Sequence, residues 1–113
     1  MGTTPPPPGQ LIYRLQVTVW AGPGGEPTRW TLTGDPPSGD HPDPAAARAA
    51  IAAAARPFAP VPRGTMCTQV YGGPQTATID GVWAGQPVRA SYSRVDGCEI
   101  ARWNALAAVF QPG

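Results

Sequence analysis

Proline placement constrains this chain more than any other feature, because each of its 16 prolines locks one backbone angle and removes one hydrogen-bond donor. Four stand together at positions 5 to 8, so residues 1–10 are expected to form a disordered, polyproline-like lead-in. Gly22-Pro23-Gly24-Gly25 reads as a turn, and the stretch from Asp35 to Pro42 as a rigid loop. Asp43 and Pro44 then supply a helix N-cap and a first-turn proline. Pro57, Pro60 and Pro62 end that helix and lead an extended chain toward Cys67.

Between these breaks the side-chain pattern assigns the elements. From Leu11 to Trp20 the chain alternates, with Leu11, Tyr13, Leu15, Val17 and Val19 on one face and Arg14, Gln16 and Thr18 on the other. Such a period of two predicts a half-buried strand, and Thr28 to Thr33 continues it across a hairpin with Trp30 and Leu32 on one side. The helix from Asp43 to about Arg56 is rich in alanine, and Ala47, Ile51, Ala54 and Phe58 are spaced to face a sheet. Gln75 to Ile79 and Val88 to Val95 read as two further strands, joined through either Asp80-Gly81 or the Ala84-Gly85-Gln86-Pro87 turn. Residues Cys98 to Leu106 read as a helix, since Ile100, Trp103, Ala107 and Phe110 recur at helical intervals, although Val109 and Phe110 could equally close on a strand. The expected class is α+β: an antiparallel β-sheet of about five strands with one or two α-helices packed on one face. At this length residues 11–113 are expected to make a single domain.

Composition excludes several functions. Eight basic residues against seven acidic ones create no field that would steer the chain to nucleic acid or an anionic membrane. No apolar run approaches the ~20 residues of a membrane-spanning helix, so a soluble chain is expected. Hydrolytic catalysis needs a nucleophile, a base and a group that orients the base. The sole histidine, His41, sits between Asp40 and Pro42, where a structural or solvated role is expected. Positions 41, 67 and 98 lack the ligand spacing of a zinc site, and no Lys-Ser or Lys-Thr follows the glycines at 22, 24 and 25 to make a phosphate loop. The four tryptophans and three tyrosines, without a basic groove, read as core or interface residues. The chain is expected to have no enzymatic activity, no cofactor and no metal.

The two cysteines, Cys67 and Cys98, permit two accounts: a disulfide in a secreted protein, or two unrelated buried thiols. A bridge would remove denatured-state entropy worth roughly 3.5 kcal/mol. On that account the protein is secreted and its export signal is absent from the sequence. Around Cys67 the extended segment Met66-Cys67-Thr68-Gln69-Val70-Tyr71, followed by Gly72, Gly73 and Pro74, has the look of protease bait. Local composition fits an ordinary stapled loop as well.

The strings MCTQVY at 66–71, TIDGVWAG at 78–85 and CE at 98–99, with SGDHP at 38–42 and VF at 109–110, resemble the Streptomyces subtilisin inhibitor family. They occur in the family's order over most of the chain. The resemblance implies a secreted, standard-mechanism inhibitor of subtilisin-like serine proteases, built as an antiparallel sheet with helices and paired into a homodimer through the sheet. It places the reactive bond between Gln69 and Val70, with Gln69 in the primary specificity pocket, Met66 in an apolar pocket three residues upstream, and a Cys67–Cys98 disulfide anchoring the loop.

Three departures accompany it. A second family disulfide is missing, its aligned positions being Gly34 and Arg48. Thr68 stands where proline is frequent, which removes a restraint beside the reactive bond and predicts slow cleavage. The segment after Cys98 is longer than usual and contains Trp103. Two other readings compete with inhibition: Gln69 as the acceptor amide for a transglutaminase, and a non-inhibitory binding domain on the same scaffold.

Overall fold

The computed structural model describes residues 13–34 and 37–111. The expectations for residues 1–10, and for Leu11 as the first strand residue, lie outside that range, as do Asp35 and Pro36 of the rigid loop.

Four strands form one antiparallel sheet in the order β2-β1-β3-β4, with β1 at Tyr13–Trp20, β2 at Thr28–Gly34, β3 at Thr76–Trp83 and β4 at Gln86–Tyr92. Register follows the predicted alternation: Val17 lies opposite Trp30 on β2 and Ile79 on β3, and Ile79 lies opposite Ala90 on β4. Facing residues share a side of the sheet, so Tyr13, Leu15, Val17, Leu32, Ala77, Ile79, Val88, Ala90 and Tyr92 form one buried surface. Asp80 and Gly81, one of the two candidate turns, instead lie within β3 opposite Arg89 and Val88. The chain reverses at Ala84-Gly85, where both residues have positive φ, 51° and 83°, as the tightest hairpin turn requires.

Helices cover that apolar surface. Helix α1, Pro44–Ala53, begins where Asp43 accepts a hydrogen bond from the Ala46 N–H at 3.1 Å. It stops three residues before the predicted Arg56. Pro57 has no N–H for the Ala53 carbonyl, and its ring would collide with that carbonyl if the helix continued. Ala47 and Ile51 are buried, while Ala54 and Phe58 reach the core from beyond the helix end.

Helix α2, Gly97–Ala105, and the short α3, Ala107–Phe110, complete the layer, α2 lying on β4 and α3 on β1 and α1. Val109 and Phe110 are thus helical, so among the described residues the sheet has four strands instead of about five. Burial gives the reason. Both side chains are enclosed, Phe110 stacking at 4.8 Å from both Tyr92 and Trp103, and a turn of helix points the two residues into the core together. Trp103 is fully buried, so in the long segment after Cys98 this side chain supplies core and not an exposed contact.

His41 joins the two sides of this core. Its Nε2–H donates to the Val109 carbonyl at 2.8 Å, and its Nδ1 accepts from the Asp43 N–H at 3.0 Å. Both ring nitrogens are engaged and the residue is buried, which is a structural role and not that of a base.

Candidate functional site

No helix or strand interrupts the chain from Ala54 to Gln75. Within it Met66, Thr68, Gln69, Val70 and Tyr71 are exposed, Met66 to 95% and Tyr71 to 67%. Met66, Val70 and Tyr71 place three large apolar side chains in water within six residues, which makes this segment the candidate contact surface.

The loop is shaped by bonds to residues around the start of α2. That start is itself pinned. Asp96 caps it through the Glu99 N–H at 2.9 Å, Glu99 pairs with Arg102 at 2.8 Å, and Arg102 donates to the Ser91 carbonyl at 3.1 Å. The Arg102 guanidinium also lies 4.5 Å over the Tyr92 ring. On this base Cys98 is bonded to Cys67, with their Cα atoms 5.3 Å apart. Of the two accounts for the cysteines, the disulfide is the one realised. Next to it the Gly97 N–H donates to the Thr68 carbonyl at 2.8 Å. A Cβ on Gly97 would sit 3.0 Å from the Thr68 Cβ, so a side chain there would lift the loop from its seat.

The same Thr68 carbonyl accepts from the Val70 N–H at 2.9 Å. A bond from residue i to i+2 closes a three-residue turn, which puts Gln69 at the apex. Its amide donates at 3.4 Å to the Cys67 carbonyl, keeping the side chain beside the loop's own backbone.

Beyond the apex the chain is caught again. The Gly72 N–H donates to the Arg94 carbonyl at 2.7 Å, and the Arg94 Nε–H returns a bond to the Gly72 carbonyl at 3.1 Å. A Cβ on Gly72 would meet the Ile100 Cδ1 at 2.8 Å, so glycine allows the backbone to lie directly on α2. Arg94, Gly72 and Gly97 were not distinguished in the sequence as site residues. Their partners lie many positions away, and no local pattern marks a contact between irregular segments.

Other candidates resolve simply. Cys67, Asp96 and Cys98 come within metal-ligand distance of each other, but the sulfurs are bonded together and Asp96 caps α2. At Gly34, aligned with a family cysteine, the Cβ position is filled by the Tyr13 ring, 2.3 Å from where that atom would lie. The Tyr13 ring lies tilted 4.8 Å from Trp83, and Phe58 meets Trp83 edge-on at 5.9 Å, so an aromatic cluster packs this end of the sheet.

Similarity to known proteins bears directly on this loop. Residues 13–95 match the subtilisin inhibitor-like family model. The chain is 34% identical over 85 residues to subtilisin inhibitor-like protein 1 of Streptomyces cacaoi, covering 71% of this chain and 76% of that one. It is 38% identical over 98 residues to the subtilisin inhibitor of Streptomyces albogriseolus, covering 82% and 66%. Over 67 residues it is 37% identical to the transglutaminase-activating metalloprotease inhibitor of Streptomyces mobaraensis, spanning 57% of this chain and 45% of that relative. In structure it superimposes with a TM-score of 0.54 and 26% identity on Streptomyces caespitosus sermetstatin, solved in complex with Bacillus licheniformis subtilisin, over 85% of this chain and 97% of that one. With the family model matched across the whole sheet and the bait-like loop, the chain belongs to the subtilisin inhibitor-like family.

Proposed function

We propose that this protein inhibits subtilisin-type serine proteases by the standard mechanism, presenting Gln69–Val70 as the reactive bond. One observation carries the reading: this peptide bond sits at the exposed apex of a loop tied down on both sides, through Cys67 and Thr68 before it and Gly72 after it. A loop of that kind enters a protease cleft as a substrate-like strand, main-chain hydrogen bonds contributing affinity and alternate side chains filling pockets. Because it is already held in shape, little ordering entropy is lost on association. Like its relatives, the chain occupies an active centre and does not provide one.

Gln69 fills the primary specificity pocket and Met66 an apolar pocket upstream, with Thr68, Val70 and Tyr71 completing the contact. A neutral amide cannot form the ion pair with which a trypsin-like pocket holds lysine or arginine, so subtilisin is the preferred target. Residues 11–113 act as one inhibitory unit. The protein works outside the cell, where its single disulfide persists. It pairs as a homodimer through the face of the sheet opposite the helices, and light scattering on the purified protein measures that state.

Titrating subtilisin with the protein and sequencing any nicked product tests the reading. Stoichiometric inhibition with a new amino terminus at Val70 is the expected result. No inhibition, or a cut at another bond, contradicts it. Gln69→Lys should shift the preference toward trypsin.

A further inference from the structure

We infer that Arg94 is the positioning residue that holds the departing half of the reactive loop in place, and so decides whether the chain behaves as an inhibitor or as a substrate. The inference rests on the reactive bond proposed above.

When a serine protease attacks Gln69, its serine oxygen forms an ester with the Gln69 acyl carbon and the C–N bond to Val70 breaks, the nitrogen leaving as an amine with the proton from the serine. Two reactions then compete for the ester. In one, the Val70 amine attacks the acyl carbon, the C–N bond re-forms as the C–O bond breaks, and the amine proton passes to the departing serine oxygen. In the other, water adds in the amine's place, its hydroxyl staying on Gln69 and its proton going to the serine. The first restores the intact inhibitor and the second releases a nicked chain. Their ratio depends on how long the amine stays beside the acyl carbon.

The disulfide cannot supply that restraint, because Cys67 lies on the acyl side of the bond. On the amine side only one residue, Tyr71, separates Val70 from Gly72, and Gly72 is held by Arg94 twice: through the backbone carbonyl at 2.7 Å and the side-chain Nε at 3.1 Å. The guanidinium is fixed in turn. Its Nη1 donates to the Asn104 Oδ1 at 3.3 Å, and it lies 5.8 Å over the buried Trp103 ring. A charged donor oriented by α2 thus reaches from the scaffold to the leaving strand.

The test compares full-length wild type with Arg94→Ala, Arg94→Lys and Ile79→Val, the last chosen as a core variant that lowers thermal stability without touching the loop. Each is incubated with a trace of subtilisin, and the return of protease activity and the cut at Gln69–Val70 are followed over time. Losing one charge-assisted hydrogen bond should shorten the inhibited interval about tenfold in Arg94→Ala, with part of it recovered in Arg94→Lys. Ile79→Val should keep the wild-type interval. The inference is overturned if Arg94→Ala inhibits as long as wild type, or if Ile79→Val shortens the interval equally at a comparable loss of melting temperature. A wild type that never inhibits subtilisin overturns the reactive-bond assignment itself.

Discussion

The two arms of the exposed loop are secured by different chemistry. Before Gln69 the chain is held covalently, through Cys67 to Cys98, with the Thr68 carbonyl resting on the Gly97 N–H. After Val70 it is held only by hydrogen bonds, between Gly72 and Arg94. A covalent tether limits how far a severed end can drift, whereas hydrogen bonds exchange quickly but set direction well. The acyl side of a cut bond remains bound in the protease cleft in any case. For the proposed religation the amine side must return in the correct orientation, and directional bonds to Arg94, whose side chain rests on α2, would serve that need.

Removing the covalent arm is expected to have the largest effect. Cys67→Ala with Cys98→Ala should cost about 3 kcal/mol of stability in chemical denaturation and turn the protein into a subtilisin substrate, with inhibition falling more than about a hundredfold. Persistence of tight inhibition in that variant would mean that hydrogen bonds suffice on both sides.

A second perturbation weighs the two seats against each other. Gly72→Ala would set a methyl 2.8 Å from Ile100, and Gly97→Ala would set one 3.0 Å from the Thr68 Cβ. Each should weaken inhibition of subtilisin, by about tenfold or more for Gly72 and by less for Gly97, where the disulfide still holds the neighbouring residue. The reverse order in measured inhibition constants would assign the critical restraint to the acyl side.

Smaller effects come from the segment feeding the covalent arm. Tyr92 donates its hydroxyl proton to the Pro57 carbonyl at 2.6 Å, tying that segment to β4. Burial pushes its ionisation up to about 12, the Glu99 carboxylate adding to the rise and Arg102 opposing it. The folded state therefore keeps this proton where the unfolded chain releases it. Its stabilising contribution is complete below pH ~10 and is lost as pH rises toward 12. Urea titrations of wild type and Tyr92→Phe between these limits should show the steeper decline only in wild type.

The smallest effect is expected far from the loop. Asp40 accepts hydrogen bonds from the Thr31 N–H and hydroxyl, and these hold its carboxyl below the usual carboxylate range. This contribution is present above an ordinary aspartate pKa of 3.8 and disappears as pH falls further. Asp40→Asn should flatten the acid limb of a stability profile while leaving the rate of loop cleavage alone. Altered cleavage would show that the two arms are sensitive to the β2 end of the sheet.

Much of this organisation was legible in the chain. Alternation in Leu15, Val17 and Ile79 reports which face is buried because a strand's side chains have a period of two. Asp43 and Pro44 mark a helix start through purely local chemistry. Ends and turns were less readable. Both Asp80-Gly81 and Ala84-Gly85 satisfy the local preferences of a turn, and only pairing of β3 with its two neighbours selects the latter. Val109 and Phe110 have strand propensity, yet the neighbouring Tyr92, Trp103 and His41 select a helical turn.

The strings that resemble one family meet in space: Cys67 of the first reaches Cys98 of another, and His41 of a third reaches Val109 of a fourth. Residue identity alone determined the bait-like segment, the available disulfide partners and the apolar side of each strand, since all three follow from local chemistry and periodicity. Tertiary structure alone decided that Arg94 and Gly97 lie against that segment, because those contacts join irregular stretches whose approach is set by how α2 sits at the end of β4.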